Sequence, residues 1–458
     1  MRRRVAAGGF ILQKRKISPY LIIILCFLAP ILVGATLLCL PFATVENVHI
    51  SFVDALFTAT SAVSTTGLSV LDVGKDLTVF GQIVVIVMME IGGLSLLTFA
   101  CFFILFVQER LDYSTQSLMK EALNRDTMSD MKNIVRKIVA FSFSVQLIGA
   151  IVDLIVFLMY FDDVGFSFRA AIFHAVSSYN NAGIDIFGTG DSLITLTAEM
   201  PVALNVVFKI NTVFMVLIGG VSFIFIEDIW KKRSWKRLAL STKIVLIMSL
   251  SLAFGGGTII EFFMLAAGKN TSFLECLFIA CSAAGAGFDN LGMNNVPVSV
   301  FALLILLMYV GASPGSTGGG IKTTAVFVVC ASVTAFIRGK EPSFGYKRIS
   351  AQSVNKSFVL VVCSIFYILL TVVILCAVEG DRFSFEQILF ETVSAFSTTG
   401  LSTGITGSVN TASKLILSLT MFVGRVGVLT FINGMGKNWI FSKTQKNVKY
   451  IEENIIIG

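Results

Sequence analysis

Histidine and charge are both scarce in this sequence. Of 458 residues only His49 and His174 are histidines, and the eight cysteines show no metal-ligand spacing. A resident metal centre is therefore not expected, because such sites gather three or four ligands at short intervals. Cys26, Cys39, Cys101, Cys330, Cys363 and Cys376 lie in apolar runs and read as small core residues. Cys276 and Cys281 stand five apart, which is neither a CxxC motif nor one helix face. Charged residues make up only 14% of the chain, against about 25% in soluble domains. That excludes a soluble globular protein. There is no paired acid and base, no activated nucleophile and no cofactor loop, so the chain does not read as an enzyme. Four segments, 42–80, 161–200, 268–297 and 380–414, hold five basic residues between them: Lys75, Arg169, Lys269, Arg382 and Lys414.

What fills the chain instead is apolar sequence, 55% of residues with a mean hydropathy of +0.86. Runs long enough to span a bilayer cover Pro19–Leu40, Leu77–Phe106, Ile138–Tyr160, Val202–Ile226, Ile244–Ala267, Val298–Ala335, Phe358–Val378 and Leu415–Ile440. The basic start MRRRVAAGGFILQKRK resembles a signal n-region, but no small-residue cleavage site follows, so a retained anchor is expected. Basic residues crowd the N-terminus, the joins between spans two and three, four and five, and six and seven, and the C-terminal tail. The positive-inside rule then predicts cytoplasmic termini. The opposite face carries 14 acidic residues, which would raise the local cation concentration.

The sparsely basic segments repeat one template. They read SFVDALFTATSAVSTTGLS from Ser51, SFRAAIFHAVSSYNNAGID from Ser167, SFLECLFIACSAAGAGFD from Ser272 and SFEQILFETVSAFSTTGLS from Ser384. Each starts Ser-Phe, has Ser at its eleventh position and reaches a glycine: Gly67, Gly183, Gly287 or Gly400. The glycine comes sixteen residues after the first Ser, or fifteen in the third copy. Such internal repetition outweighs any single motif. Each copy reads as a helix of about three turns, capped by its first Ser, with Asp54, Glu275 or Gln387 three residues on as in a capping box. A helix that short cannot cross the hydrocarbon, and a polar tip at membrane depth survives only buried in protein or lining water. The plain alternative is outer loops duplicated along with their spans. The matched positions favour re-entrant hairpins instead. The expected architecture is all-α: four consecutive helix–pore-loop–helix repeats with fourfold pseudosymmetry around one central pore.

A dehydrated cation needs a ring of oxygens, which backbone carbonyls of converging loops supply. Glycine permits the backbone conformations that turn its neighbours' carbonyls inward. Helix C-termini aimed at the cavity favour a cation there. The expected ion-binding residues are Thr65, Thr66 and Gly67, then Asn181, Ala182 and Gly183, Gly285, Ala286 and Gly287, and Thr398, Thr399 and Gly400. A second polar stretch, GASPGSTGGGIKTT from Gly311, interrupts an apolar run. Gly315 and Gly320 have phosphate-loop separation, but Ile321 stands where that motif needs Lys, and no strand precedes it. Pro314, Gly315, Gly318, Gly319 and Gly320 bar a continuous helix. An intramembrane loop below the filter is expected, with a packing break as the alternative. Arg425 lies in the last span, where an Arg costs about 2.5–3.5 kcal/mol on insertion scales. It therefore needs a functional role or a partner such as Glu90.

Across nearly its whole length the sequence resembles the Trk/Ktr/HKT superfamily of potassium transporters. The second helices strengthen the match: EIGGLSLLTF from Glu90, LIGGVSFIFIED from Leu217, GASPGSTGGGIKTT and FVGRVGVLTF from Phe422. About eighteen residues precede the first span, which looks most like the Ktr-type pore subunit. The resemblance implies K+ uptake across the cell (inner) membrane, with sodium conduction or Na+ coupling as the alternative. It also implies that loop 311–323 is the gate, with Lys322 and Arg425 as positive charges opposing cation leakage. No cofactor and no nucleic acid are expected. The implied partners are a second copy, forming a homodimer, and a cytoplasmic nucleotide-binding regulatory ring. The third filter departs from the family pattern Arg-Thr-Ala-Gly-Phe, with Ala284 and Gly285 in place of Arg and Thr. The expected layout is repeats at 19–107, 138–227, 244–337 and 357–442. Cytoplasmic segments 1–18, 108–137, 228–243, 338–356 and 443–458 flank them.

Overall fold

The computed structural model describes residues 19–46, 48–94, 131–188 and 192–435. The expected N-terminal segment, the C-terminal tail and most of the first cytoplasmic linker lie outside these residues. Among the described residues, four helices are long and apolar enough to cross a membrane: Val135–Tyr160, Val202–Val221, Leu240–Ala266 and Ala351–Arg382. Pro19–Leu38 and Val79–Gly93 are apolar helices at the places of the first two expected spans. Apolar side chains such as Ile151, Ile155, Phe366 and Val373 face outwards. Exposed apolar surface on that scale belongs against lipid, and the protein is a multi-pass membrane protein. A two-residue antiparallel pair, Ser343–Phe344 with Lys347–Arg348, departs from the all-α expectation in the 338–356 linker.

Three of the expected spans are broken, not one. Val298–Tyr309 and Thr323–Ile337 flank the Gly-rich loop, as its composition predicts. The run expected over 202–226 also breaks, at Ser222 with φ +66°, before Phe223–Lys232 resumes. The run expected over 415–440 breaks at Gly427 with φ +88°, between Thr411–Val426 and Val428–Met435. A break frees helix carbonyls, and buried carbonyls must find donors. At the Ser222 break the loop provides them: Thr317 N donates to Gly219 O (3.3 Å), and Ser313 N and Oγ donate to Gly220 O (3.1 and 2.8 Å).

The four short helices are Phe52–Ser64, Val164–Tyr179, Phe273–Cys281 and Phe385–Ser397. Full capping boxes close the third (Ser272, Glu275) and fourth (Ser384, Gln387). Ser51 caps the first by accepting from Asp54 N. The second differs from expectation. It starts at Val164 under Asp163, which accepts from Gly165 N and Phe166 N, and Ser167 lies inside the helix. A carboxylate one turn earlier outcompetes the serine.

The second helix of each copy packs on the short helix of the next. Val79–Gly93 packs on the second short helix, Val202–Val221 on the third, Val298–Tyr309 on the fourth and Thr411–Val426 on the first. Two of these contacts are pinned by matching ion pairs. Lys209 meets Glu275 at 3.3 Å and Lys414 meets Asp54 at 2.6 Å. Each lysine stands eleven residues before the aligned Gly220 or Arg425. Each carboxylate is the third residue of the neighbouring short helix, where the N-terminal dipole also favours a negative charge.

Candidate functional site

The glycines that end the four templates come together. Gly67, Gly183, Gly287 and Gly400 have φ of +96°, +66°, +81° and +98°, a region that side chains disfavour. A Cβ on Gly67 would stand 2.5 Å from Ala182 O. A Cβ on Gly183 would collide with Ala286 O, one on Gly287 with Thr399 O, and one on Gly400 with Thr66 O. Each glycine thus backs onto the carbonyl that precedes the next glycine, and the fourth closes on the first.

The eleventh-position serines hold these turns. Ser61 Oγ accepts from Gly67 N and Ser394 Oγ from Gly400 N, both at 3.0 Å. Ser282 Oγ instead donates to Phe288 O (2.6 Å). In copies one, two and four, the residue before the glycine donates its N–H to the eleventh-position carbonyl. The pairs are Thr66 to Ser61, Ala182 to Ser177 and Thr399 to Ser394, at 2.8–3.0 Å. In the shorter third copy Gly287 N itself makes that bond to Ser282 O, after a π-turn over Ser282–Ala286. With one residue fewer between serine and glycine, the third copy takes no left-handed step before its glycine.

That step matters, because Thr65, Asn181 and Thr398 take it at φ +53°, +54° and +51°. All three place their side chains on the Gly-rich loop. Thr65 Oγ1 donates to Thr317 O (3.1 Å), Asn181 Nδ2 donates to Thr317 Oγ1 (2.7 Å), and Thr398 Oγ1 accepts from Gly319 N (2.9 Å). Gly285, the corresponding residue of the third copy, has extended φ and sends nothing to the loop. A Cβ there would meet only Asn181, at 3.6 Å. Thr66 turns to Ser64 (2.6 Å), and Thr399 reaches Ala283 O (3.5 Å).

Loop residues Ser313, Ser316 and Thr317 are buried. Pro314 and Gly315 form its turn, and Gly315 and Gly320 have positive φ. Gly319 leaves no room for a side chain beside Thr398, nor Gly318 beside Ala312. Lys322 Nζ folds back on Gly318 O (2.7 Å) and Gly319 O (3.3 Å).

Arg425, 7% exposed, is not the partner of Glu90. Its guanidinium donates through Nη1 to Thr317 O and through Nη2 to Gly92 O. Glu90 accepts instead from Asn180 Nδ2 (2.8 Å) and Gln146 Nε2 (2.9 Å). The amides reach that carboxylate because Asn180 ends the second short helix directly against Gly93. Arg425 therefore spans the Gly-rich loop and the first copy's second helix, with its charge left on backbone carbonyls.

Sequence reasoning missed a further set of residues. Gly92, Gly219 and Gly424 each lie so close to a short-helix carbonyl (Val63 O, Tyr179 O and Phe396 O) that no Cβ would fit. Those carbonyls all belong to the residue four before a template glycine. The repeated small residues of the aligned second helices were the available signal. Among the described residues no cluster of His, Cys, Asp or Glu could hold a metal ion.

A lipid-facing helical shell enclosing convergent, buried, irregular loops defines a membrane transport protein. The family model for TrkH, described as cation transport protein, matches residues 18–435. The chain belongs to that family of cation transporters and is not an enzyme. It is 34% identical to the Ktr system potassium uptake protein B of Bacillus subtilis, over 98% of this chain and 100% of that one. The protein of the same name from Vibrio alginolyticus is 32% identical, over 95% and 94%. The potassium/sodium uptake protein NtpJ of Enterococcus hirae is 31% identical, over 97% and 98%. The crystal structure of the potassium transporter TrkH from Vibrio parahaemolyticus superposes with a TM-score of 0.68 at 18% identity. That match covers 94% of this chain and 87% of the other, and shows a shared fold.

Proposed function

We propose that this protein takes up K+ across the cell membrane through a single, fourfold pseudosymmetric pore. One observation carries the reading: the closed succession in which each template glycine backs onto the carbonyl before the next. Thr66, Ala182, Ala286 and Thr399 contribute those carbonyls, and Thr65, Asn181, Gly285 and Thr398 precede them. Together with the glycines they form the selectivity filter. The loop 311–323, with Pro314, Gly315, Gly318, Gly319, Gly320 and Lys322, is the gate beneath it, clamped by Arg425. Both termini are cytoplasmic, and the pore works as a homodimer with a cytoplasmic nucleotide-binding ring. K+ as cargo is supported by the names of the B. subtilis and V. alginolyticus relatives.

Flux of K+, Rb+ and Na+ through purified protein in liposomes tests this. The wild type should favour K+ and Rb+. Gly67→Ser should abolish the preference, because a Cβ at φ +96° meets Ala182 O and forces the loops apart. Retained K+ preference in folded Gly67→Ser protein would overturn the filter assignment. The sodium reading, favoured by the E. hirae relative's name, predicts a wild-type Na+ flux at least equal to that of K+.

A further inference from the structure

We propose that Glu391 supplies an unneutralised negative charge behind the fourth filter strand and so sets the affinity for the transported cation. The inference rests on the filter reading above. Glu391 is the eighth residue of the fourth copy, where the others have Thr58, His174 and Ile279. It is 1% exposed. Every donor to its carboxylate comes from the chain just beyond Gly400. Thr403 N (3.1 Å), Thr403 Oγ1 (3.4 Å) and Ser402 Oγ donate to Oε1, and Thr406 Oγ1 (3.1 Å) donates to Oε2. Ser402 Oγ also accepts from Gly404 N (2.9 Å) and lies 2.9 Å from Thr406 Oγ1, so the two hydroxyls and the carboxylate form one linked cluster. A backbone N–H and three hydroxyls converging on one carboxyl suit the ionised form, which accepts at both oxygens.

The contrast with its neighbours gives the charge its meaning. Of the other carboxylates here, Asp54 has Lys414, Glu275 has Lys209 and Glu379 has Arg382, while Glu386 lies exposed to solvent. Among the described residues no cation pairs with Glu391. Its donors start two residues past Gly400, so an extended chain places the carboxylate within roughly 7–10 Å of that glycine. At such a distance, with an effective dielectric of ~20, an unscreened charge changes cation occupancy on the order of tenfold. Glu391 is thus a positioning residue for the strand and a source of field for the ion.

The test is the concentration dependence of K+ uptake in liposomes for the whole protein. Glu391→Gln keeps the shape and the bond from Thr403 N but removes the charge. It should raise KM for K+ about tenfold with little change in maximal rate. Glu391→Asp and Thr406→Val keep the charge and should leave KM within about twofold. The inference is overturned if assembled Glu391→Gln protein keeps the wild-type KM. It is equally overturned if the two charge-preserving variants raise KM as much, because hydrogen-bond geometry would then govern. Should Glu391→Gln fail to assemble, Glu391→Thr, with the residue that the first copy holds at this position, removes the charge instead and is read by the same criterion. Gly67→Ser, run in parallel, separates the two readings. If it shifts the K+/Na+ ratio while Glu391→Gln leaves KM alone, only the present inference falls. If it leaves the ratio unchanged, the filter reading itself fails.

Discussion

Arg425 shows how one side chain can serve two purposes. Its guanidinium reaches Thr317 O on the loop and Gly92 O on the opposite helix, and hydrogen bonds from a charged group contribute about 1.5–3 kcal/mol each. In the proposed pore the charge would also repel a permeating cation, by roughly 2 kcal/mol at ~8 Å and an effective dielectric of ~20. On the proposed reading both effects would restrain flux, so Arg425→Ala should raise K+ flux per assembled protein more than tenfold. Arg425→Lys keeps the charge, but a single ammonium cannot span two carbonyls as the planar fork does. An intermediate flux is expected, and a liposome flux assay normalised to assembled protein distinguishes the three. Because Glu90 is held by Asn180 and Gln146, Glu90→Gln should not rescue any defect of Arg425→Ala.

At the scale of elements, the irregular loop between Tyr309 and Thr323 is tied to several parts of the fold. Thr65, Asn181 and Thr398 bind it, and the broken helix at Ser222 offers it Gly219 O and Gly220 O. Only the third copy, through Gly285, leaves it untied. Deletion of Pro314–Gly320 should raise flux and remove most dependence on a cytoplasmic regulator. Equal or lower flux from folded deletion protein would favour a packing break over a gate. The ties also imply coupling, since releasing the loop frees three residues held at positive φ, each two positions before a template glycine.

For the whole molecule, head-to-tail packing of each second helix on the next short helix makes the four copies mutually dependent. The Lys209–Glu275 and Lys414–Asp54 pairs fasten two of the four contacts; among the described residues no ion pair fastens the alternate two. At one of those, Phe301 stacks on Phe390 with centroids 4.5 Å apart. The linkers expected on the cytoplasmic side are basic, as in KKRSWKR at Lys231–Arg237, and suit an acidic docking surface or anionic lipid. Purification from the native membrane is expected to recover a dimer with a nucleotide-binding partner. A lone chain with full, nucleotide-independent activity would contradict both assemblies.

The sequence alone determined the membrane class, the repeat, the four glycines and the interrupted sixth span. These signals are periodic or compositional, and they survive without knowledge of what touches what. Capping boxes at Ser272 and Ser384 were legible for the same reason, because their chemistry is complete within four residues. Only the tertiary structure decided the break at Ser222, since a serine within an apolar run carries no break signal, and the break at Gly427, since a lone glycine there did not stand out from Gly424. The cost of the Ser222 break is met by loop residues about ninety positions away. The partner of Arg425 was likewise beyond reach: it bonds backbone carbonyls, which every residue has, whereas sequence reasoning can nominate only side chains such as Glu90. The meaning of the third copy's missing residue followed the same rule. It became a lost left-handed step, and a lost tie to the loop, only once the other three copies were seen holding theirs.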